Sequence, residues 1–145
     1  MRMIFAAAML LPLATPAAAA EWYLVGGNDS TRTYVDLASL RALSGKIVGD
    51  VLSIYAKPLS GGPISGAKIR EELDCGGNSF RTLEYSYYRA DGSFIESEPS
   101  ETITEHKTPA ANSINEAIMD FACYRKGGTA VSDPFSDAAD NFDEY

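Results

Sequence analysis

The chain has 145 residues, 46% of them hydrophobic and 22% charged, and a formal net charge of −8 at pH 7. This length fits a single folded domain, and because an acidic surface repels phosphate backbones, nucleic acid is excluded as an expected partner. One histidine and two cysteines leave few residues for a zinc site, so we expect no metal and no cofactor.

Residues 1–20 have the features of a secretory signal peptide. A basic residue, Arg2, precedes an apolar run at Met3–Leu13, and the segment ends in a small-residue cleavage site at Ala18–Ala20. The apolar run is shorter than the roughly 20 residues that a membrane-spanning helix needs. We therefore expect cleavage after Ala20 and a periplasmic or secreted mature chain without a membrane span. Because no cysteine lies at the cleavage point, we expect no bacterial lipid anchor.

Alternating and β-branched stretches, separated by turn-rich segments, predict a set of strands. They are Glu21–Val25, Thr33–Val35, Ile47–Lys57, Lys68–Cys75, Ser79–Ala90 and the short edge strand Ser93–Ser97. Ile47–Lys57 is apolar on both sides, so we predict that it is central, with a helix on one face and partial cover on the other. Before it, Asp36 is predicted to cap a brief helical turn that ends at Ser44-Gly45.

The Lys68–Cys75 strand alternates between two kinds of side chain. One side carries Ile69, Glu71, Leu73 and Cys75, and the other carries Lys68, Arg70, Glu72 and Asp74. We expect the second side to face water. A tight turn at Gly76–Asn78 leads into Ser79–Ala90, so these two strands are predicted to form an antiparallel hairpin.

The clearest helix signal begins at Ser113, which forms a capping box with Glu116. An apolar stripe at helical spacing follows: Ile114, Ala117, Ile118 and Phe121. The helix is predicted to end at Gly127-Gly128. Cys123 lies about 180° from Ile114 and therefore off the stripe. Either the last turn unwinds before Cys123, or a bond to this residue holds the helix at its end.

Export would place Cys75 and Cys123 in an oxidising compartment, where two cysteines usually form a disulfide. The bond would tie the C-terminal helix to the sheet and stabilise the fold by roughly 3–4 kcal/mol. Two buried free thiols are the alternative. The expected fold class is α+β, a small antiparallel β-sheet with a C-terminal α-helix packed on one face and tethered by the disulfide.

Residues 129–145 contain acidic residues and no basic ones, which predicts a mostly disordered tail. The alternative is an acidic–aromatic motif for a partner protein that uses Phe135, Phe142 and Tyr145. The expected organisation is thus a signal peptide at 1–20, one domain at 21–128 and a tail at 129–145.

The inventory of catalytic residues is small. His106 lies in a predicted polar loop and no nucleophile-elbow pattern occurs, so we expect neither catalytic residues nor an enzyme. Glu96 and Glu98 share one side of a strand, as a glycosidase pair would, but polar decoration of an edge strand is the favoured interpretation. A small periplasmic hydrolase using His106 or an acidic pair is the alternative function.

Tyrosines are the candidates for binding. Tyr85 and Tyr87 follow the alternation of their strand and are expected in or near the core, whereas Tyr88 is predicted to project opposite to Tyr87. An exposed tyrosine flanked by Arg81 and Arg89 suits protein recognition. Tyr88, Arg89 and Arg81 are therefore the predicted protein-binding residues.

Several short motifs occur in order along the chain. They are Trp22-Tyr23, Tyr34-Val35-Asp36, Asp74-Cys75, Tyr87-Tyr88, Asp91-Gly92 and Ala122-Cys123. In this order the chain resembles the surface-adhesin protein E family of bacterial envelope proteins from about Glu21 to Gly128. The resemblance implies a small antiparallel sheet with a disulfide-tethered C-terminal helix, and it implies adhesion to host matrix proteins.

Together these observations predict an exported, non-enzymatic binding domain of the bacterial envelope. Its expected partner is a protein, either an envelope component or a host matrix protein. An accessory or inhibitor subunit of an envelope complex, docked through the acidic tail, is a further alternative.

Overall fold

The computed structural model describes residues 18–142. The predicted signal peptide lies almost wholly outside this range, so cleavage after Ala20 stays a prediction. Within the range the chain forms eight strands and two α-helices. The strands are β1 (Trp22–Gly27), β2 (Thr31–Asp36), β3 (Arg41–Leu43), β4 (Lys46–Tyr55), β5 (Gly66–Asp74), β6 (Ser79–Tyr88), β7 (Phe94–Pro99) and β8 (Thr129–Val131). The helices are α1 (Ile114–Tyr124) and α2 (Pro134–Phe142).

The strands form one antiparallel sheet in the order β7-β6-β5-β4-β2-β1-β8, and β3 also pairs with β4. The prediction of an antiparallel sheet with a C-terminal helix packed on it is confirmed, as is the hairpin formed by β5 and β6. β4 occupies the middle of the order, as its two apolar sides predicted.

Each face of the sheet carries one helix and one apolar cluster. On the first face, α1 packs Ile118 and Phe121 against Val35, Val51 and Leu73. On the second face, α2 packs over a separate cluster that includes Tyr34, Leu52 and Ile54. The two clusters take alternate residues of β4, because successive side chains of a strand point to opposite faces.

The turn after Asp36 is shorter than predicted. The Asp36 side chain accepts a hydrogen bond from the Ala38 N–H at 3.0 Å and caps a single 3-10 turn at Leu37–Ser39. The chain then extends into β3, and Ser44-Gly45 forms the hairpin turn into β4, with positive φ angles at both residues. The prediction that the turn continues to Ser44-Gly45 is wrong, because backbone pairing with β4 competes with the helical spacing of the leucines.

The N-terminal end of α1 confirms the predicted cap. Ser113 Oγ accepts from the Glu116 N–H at 3.2 Å, while the Glu116 carboxylate accepts from the Asn112 N–H at 2.7 Å. The predicted end at Gly127-Gly128 is wrong. The helix ends at Tyr124, because Arg125 adopts the left-handed conformation and donates its N–H to the carbonyl oxygens of the last turn.

Cys75 and Cys123 form the predicted disulfide, with their Cα atoms 5.8 Å apart. Because the helix continues past Cys123 to Tyr124, its last turn is intact and the bond holds α1 near its end. The Tyr124 hydroxyl donates to the Cys75 carbonyl oxygen at 3.2 Å and joins the same two segments.

The prediction of a mostly disordered tail is wrong for residues 129–142. β8 pairs with β1, and α2 packs Phe135, Ala138 and Phe142 on the second face. The acidic residues contribute to this order, because Asp133 accepts hydrogen bonds from the Phe135 N–H and the Ser136 hydroxyl at the start of α2.

Candidate protein-binding surface

The first face is only partly covered by α1. The helix packs on β1, β2 and β4, and the disulfide holds it at the Cys75 end of β5. Toward the other end of β5 and β6, and along β7, no helix of the described segment 18–142 lies over this face. Side chains from β4, β6 and β7 therefore meet solvent there.

A group of tyrosines lies in this open region. The Tyr85 and Tyr87 rings stack with centroids 6.2 Å apart and an interplanar angle of 8°. The Tyr87 hydroxyl donates to Glu98 Oε1 at 2.6 Å, and this bond is the main reason that the pKa of Tyr87 rises to about 12. Burial raises the pKa of Tyr55, and the nearby Tyr85 adds to this rise.

Strand register places two carboxylates beside these tyrosines. Glu96 pairs with Tyr87 across β6 and β7, and Glu98 pairs with Tyr85. Both glutamates are exposed, whereas the three tyrosines are half-buried. We call the set formed by Tyr55, Tyr85, Tyr87, Glu96 and Glu98 the tyrosine surface.

A bulge in β6 decides which residues share this face. Leu83 is the extra residue between the pairs Arg70–Glu84 and Glu71–Thr82. Because of it, Thr82 and Tyr85 project to the same side although they are three positions apart. Thr82 bonds to the Ser100 hydroxyl at 2.8 Å, which fixes the segment after β7 beside the tyrosine surface.

Glu71 lies deeper on the first face, between Gly49 and Thr82 on the neighbouring strands. It is 4% exposed. Removal from water disfavours its charged form and raises the pKa of this carboxyl to about 7. The sequence placed Glu71 correctly on the apolar side of its strand.

Basic side chains of the sheet lie on the second face, where carboxylates pair with them. Arg70 Nε is 3.0 Å from Asp50 Oδ1, and Lys68 Nζ is 3.9 Å from Asp50 Oδ2. Arg81 donates to both oxygens of Glu72, at 2.9 and 3.0 Å, and this contact is the main reason that the pKa of Glu72 is lowered. Lys68, Arg70 and Arg81 are thus held in ion pairs on the second face.

The structure separates the residues that the sequence predicted for protein binding. Tyr88 projects opposite to Tyr87, as predicted, but its ring packs between Phe94 and Phe135 at centroid distances of 5.8 and 6.1 Å. Arg89 is exposed and donates to the Phe94 carbonyl oxygen. Arg81 is held by Glu72 and lies roughly 20 Å along β6 from Tyr88. The three side chains do not form one patch, and their binding role stays a prediction.

His106 is exposed in the segment after β7. Its charge contributes to the lowered pKa values of Glu72 and Asp74, so these carboxylates are its neighbours. Both already pair with other cations, Arg81 and Lys46. Within residues 18–142 the imidazole makes no hydrogen bond to a serine or threonine, and the hydrolase hypothesis therefore gains no support from this site.

A cleft of about 520 Å³ also opens on the first face. It lies between the β1–β2 hairpin and the start of α1, and Thr33, Asn112 and Ile114 are among its lining residues. The Glu116 carboxylate already bonds the Asn112 N–H at this helix end. None of the residues that line the cleft carries a charge.

The fold is a small antiparallel sheet to which a disulfide ties the helix α1. Residues 22–124 match the model of the family described as Surface-adhesin protein E. This match covers most of the chain, and the chain belongs to the surface-adhesin protein E family. Neither the curated proteins nor the solved structures contain a significant match.

Membership of this family indicates a surface adhesin-like binding protein. Together with the disulfide, it indicates an extracellular or envelope protein. Neither described helix has the length and apolar character that crossing a membrane requires.

Proposed function

We propose that the mature protein is an exported, non-enzymatic binding protein of the bacterial envelope and that it holds a partner protein on the tyrosine surface. The observation that carries this proposal is the open part of the first face, where three half-buried tyrosines lie beside exposed carboxylates. Half-buried tyrosines present a rigid apolar ring and a polar hydroxyl, a combination that is enriched at protein interfaces.

Export is supported by the signal-peptide pattern of residues 1–20 and by the disulfide. A non-enzymatic role is supported by family membership and by the position of His106, whose neighbouring carboxylates pair with other cations.

The partner is either an envelope component or a host matrix protein. Mass spectrometry of the exported chain tests export itself, and the expected mature N-terminus is Glu21.

Photo-cross-linking in intact cells tests the binding surface. A photoreactive amino acid replaces Tyr87 in one variant and Glu84 in a matched control, because Glu84 is exposed on the same strand but on the second face. We expect a discrete protein adduct from position 87 and none from position 84. A third variant labelled at Arg89 tests the region that the sequence predicted. Adducts from position 84 or 89 alone would show that the partner docks elsewhere.

A further inference from the structure

Charge is divided between the two faces of the sheet. The charged side chains that the strands place on the first face are the carboxylates Glu71, Glu96 and Glu98. The basic side chains of β2, β4, β5 and β6 lie on the second face, and each forms an ion pair there: Arg32, Lys46, Lys68, Arg70 and Arg81.

The two exposed carboxylates have no cation of their own. Among residues 18–142, neither Glu96 nor Glu98 takes part in an ion pair, and the one polar contact of Glu98 with another side chain is the Tyr87 hydroxyl. An acidic group that a protein leaves unpaired beside aromatic rings is complementary to a cation, because the ring faces and the carboxylates both attract positive charge.

We propose that the tyrosine surface binds an extended, basic segment of a partner protein, with Lys or Arg at alternate positions. This inference rests on the proposed function and names the chemistry of the partner. Glu96 and Glu98 are two positions apart on β7, so their Cα atoms are separated by roughly 7 Å, the same spacing as alternate residues of an extended peptide. Two basic side chains of such a peptide reach the two carboxylates at once, and their stems pack on Tyr85 and Tyr87.

The edge position of β7 favours an extended partner. β7 is the terminal strand of the sheet, and its pairing with β6 leaves its other edge without a neighbouring strand among the described residues. The opposite terminal strand, β8, has three residues, whereas β7 has six. A longer edge gives an incoming peptide more backbone groups to align with, and this alignment keeps its alternate side chains on one face.

Fluorescence anisotropy with synthetic peptides tests the proposal on the full mature protein. The probe is a labelled peptide of alternating arginine and serine residues, and a peptide of alternating glutamate and serine is its charge-reversed counterpart. We expect binding of the arginine peptide only, with an affinity that falls as salt increases. In the variant Glu96→Gln/Glu98→Gln, we expect binding about tenfold weaker, as the loss of two exposed ion pairs implies.

Glu84→Gln is the matched control, because it removes one exposed charge from the second face of the same hairpin. We expect it to bind the arginine peptide as the wild type does, and Tyr85→Ala to bind it more weakly. Equal weakening by Glu84→Gln and by the double variant would overturn the proposal, because it would show attraction to net charge alone. No binding of the arginine peptide would overturn it too, while cross-links from position 87 would still support the proposed function with a different partner.

Discussion

At the scale of single residues, Glu71 is a carboxyl group that the fold removes from water. It is almost wholly buried on the first face, and burial raises the pKa of its carboxyl from 4.5 to about 7. Between these two pH values the unfolded chain loses the proton while the folded chain keeps it. The folded state then binds more protons than the unfolded state, so stability falls as the pH rises through this window.

We predict that Glu71→Gln removes this loss. The amide is neutral at every pH. The free energy of unfolding of the variant, relative to that of the wild type, therefore rises by about 3 kcal/mol between low pH and a pH above 7. Urea unfolding at about pH 4 and about pH 8 measures the difference. Glu84→Gln, which removes an exposed carboxylate from the other face, is the control. A stability difference between Glu71→Gln and wild type that is independent of pH would contradict this account.

At the scale of elements, α2 is held by a polar contact as well as by its apolar face. Asp137 Oδ2 accepts from the Tyr34 hydroxyl at 2.7 Å and from Arg32 Nη2 at 3.0 Å. Tyr34 is completely buried, and burial together with the bond to Asp137 raises the pKa of its phenol. The acidic segment therefore docks on its own sheet. The alternative hypothesis, in which this segment docks on another subunit, would require α2 to leave the sheet.

We predict that Asp137→Asn destabilises the protein by about 2 kcal/mol, because it weakens hydrogen bonds from a charged and a buried donor at once. Asp140→Asn, an exposed change in the same helix, has little effect. Urea unfolding followed by the fluorescence of Trp22, the only tryptophan, reports on this face because Trp22 packs against the second-face cluster. Equal stability of the two variants would show that the apolar face alone holds α2.

A covalent bond, the disulfide between Cys75 and Cys123, holds α1 to the sheet. We predict that Cys75→Ser/Cys123→Ser lowers the free energy of unfolding by roughly 3–4 kcal/mol, because the open chain has more conformational freedom when unfolded. Thermal unfolding with and without reductant measures this. We expect reductant to lower the melting temperature of the wild type and to leave that of the double variant unchanged. A wild type insensitive to reductant would show that the apolar contacts of α1 suffice.

At the scale of the whole molecule, six of the eight strands could be predicted from sequence, because alternation is a local signal, and the disulfide could be predicted from the expected export. The short strands β3 and β8 were missed. α2 was missed because its acidic composition is typical of disorder. However, Pro134 after Asp133, with Phe135, Ala138 and Phe142 on one face, is a helix signal. The tyrosine surface could be predicted only in part. Alternation places Tyr85 with Tyr87 and Glu96 with Glu98, but the register that brings these pairs together is not a local signal.

The two faces of the sheet differ in how much of each is covered. The second face carries the second helix and holds Arg70 and Arg81 in ion pairs, and both features stabilise the fold. On the first face, α1 covers one part of the sheet, and the other part is open to solvent. We propose that a partner protein occupies this open part of the first face when the protein is in the envelope.

Hydroxyl-radical labelling of the tyrosines, read by mass spectrometry, tests whether this surface is occupied. The purified protein is compared with the same protein in intact cells, and Tyr124, which is 65% exposed and lies on α1, is the internal reference. We expect labelling of Tyr85 and Tyr87 to fall in cells while labelling of Tyr124 does not. Equal labelling of all three in both states, or protection confined to Tyr88 on the second face, would contradict it.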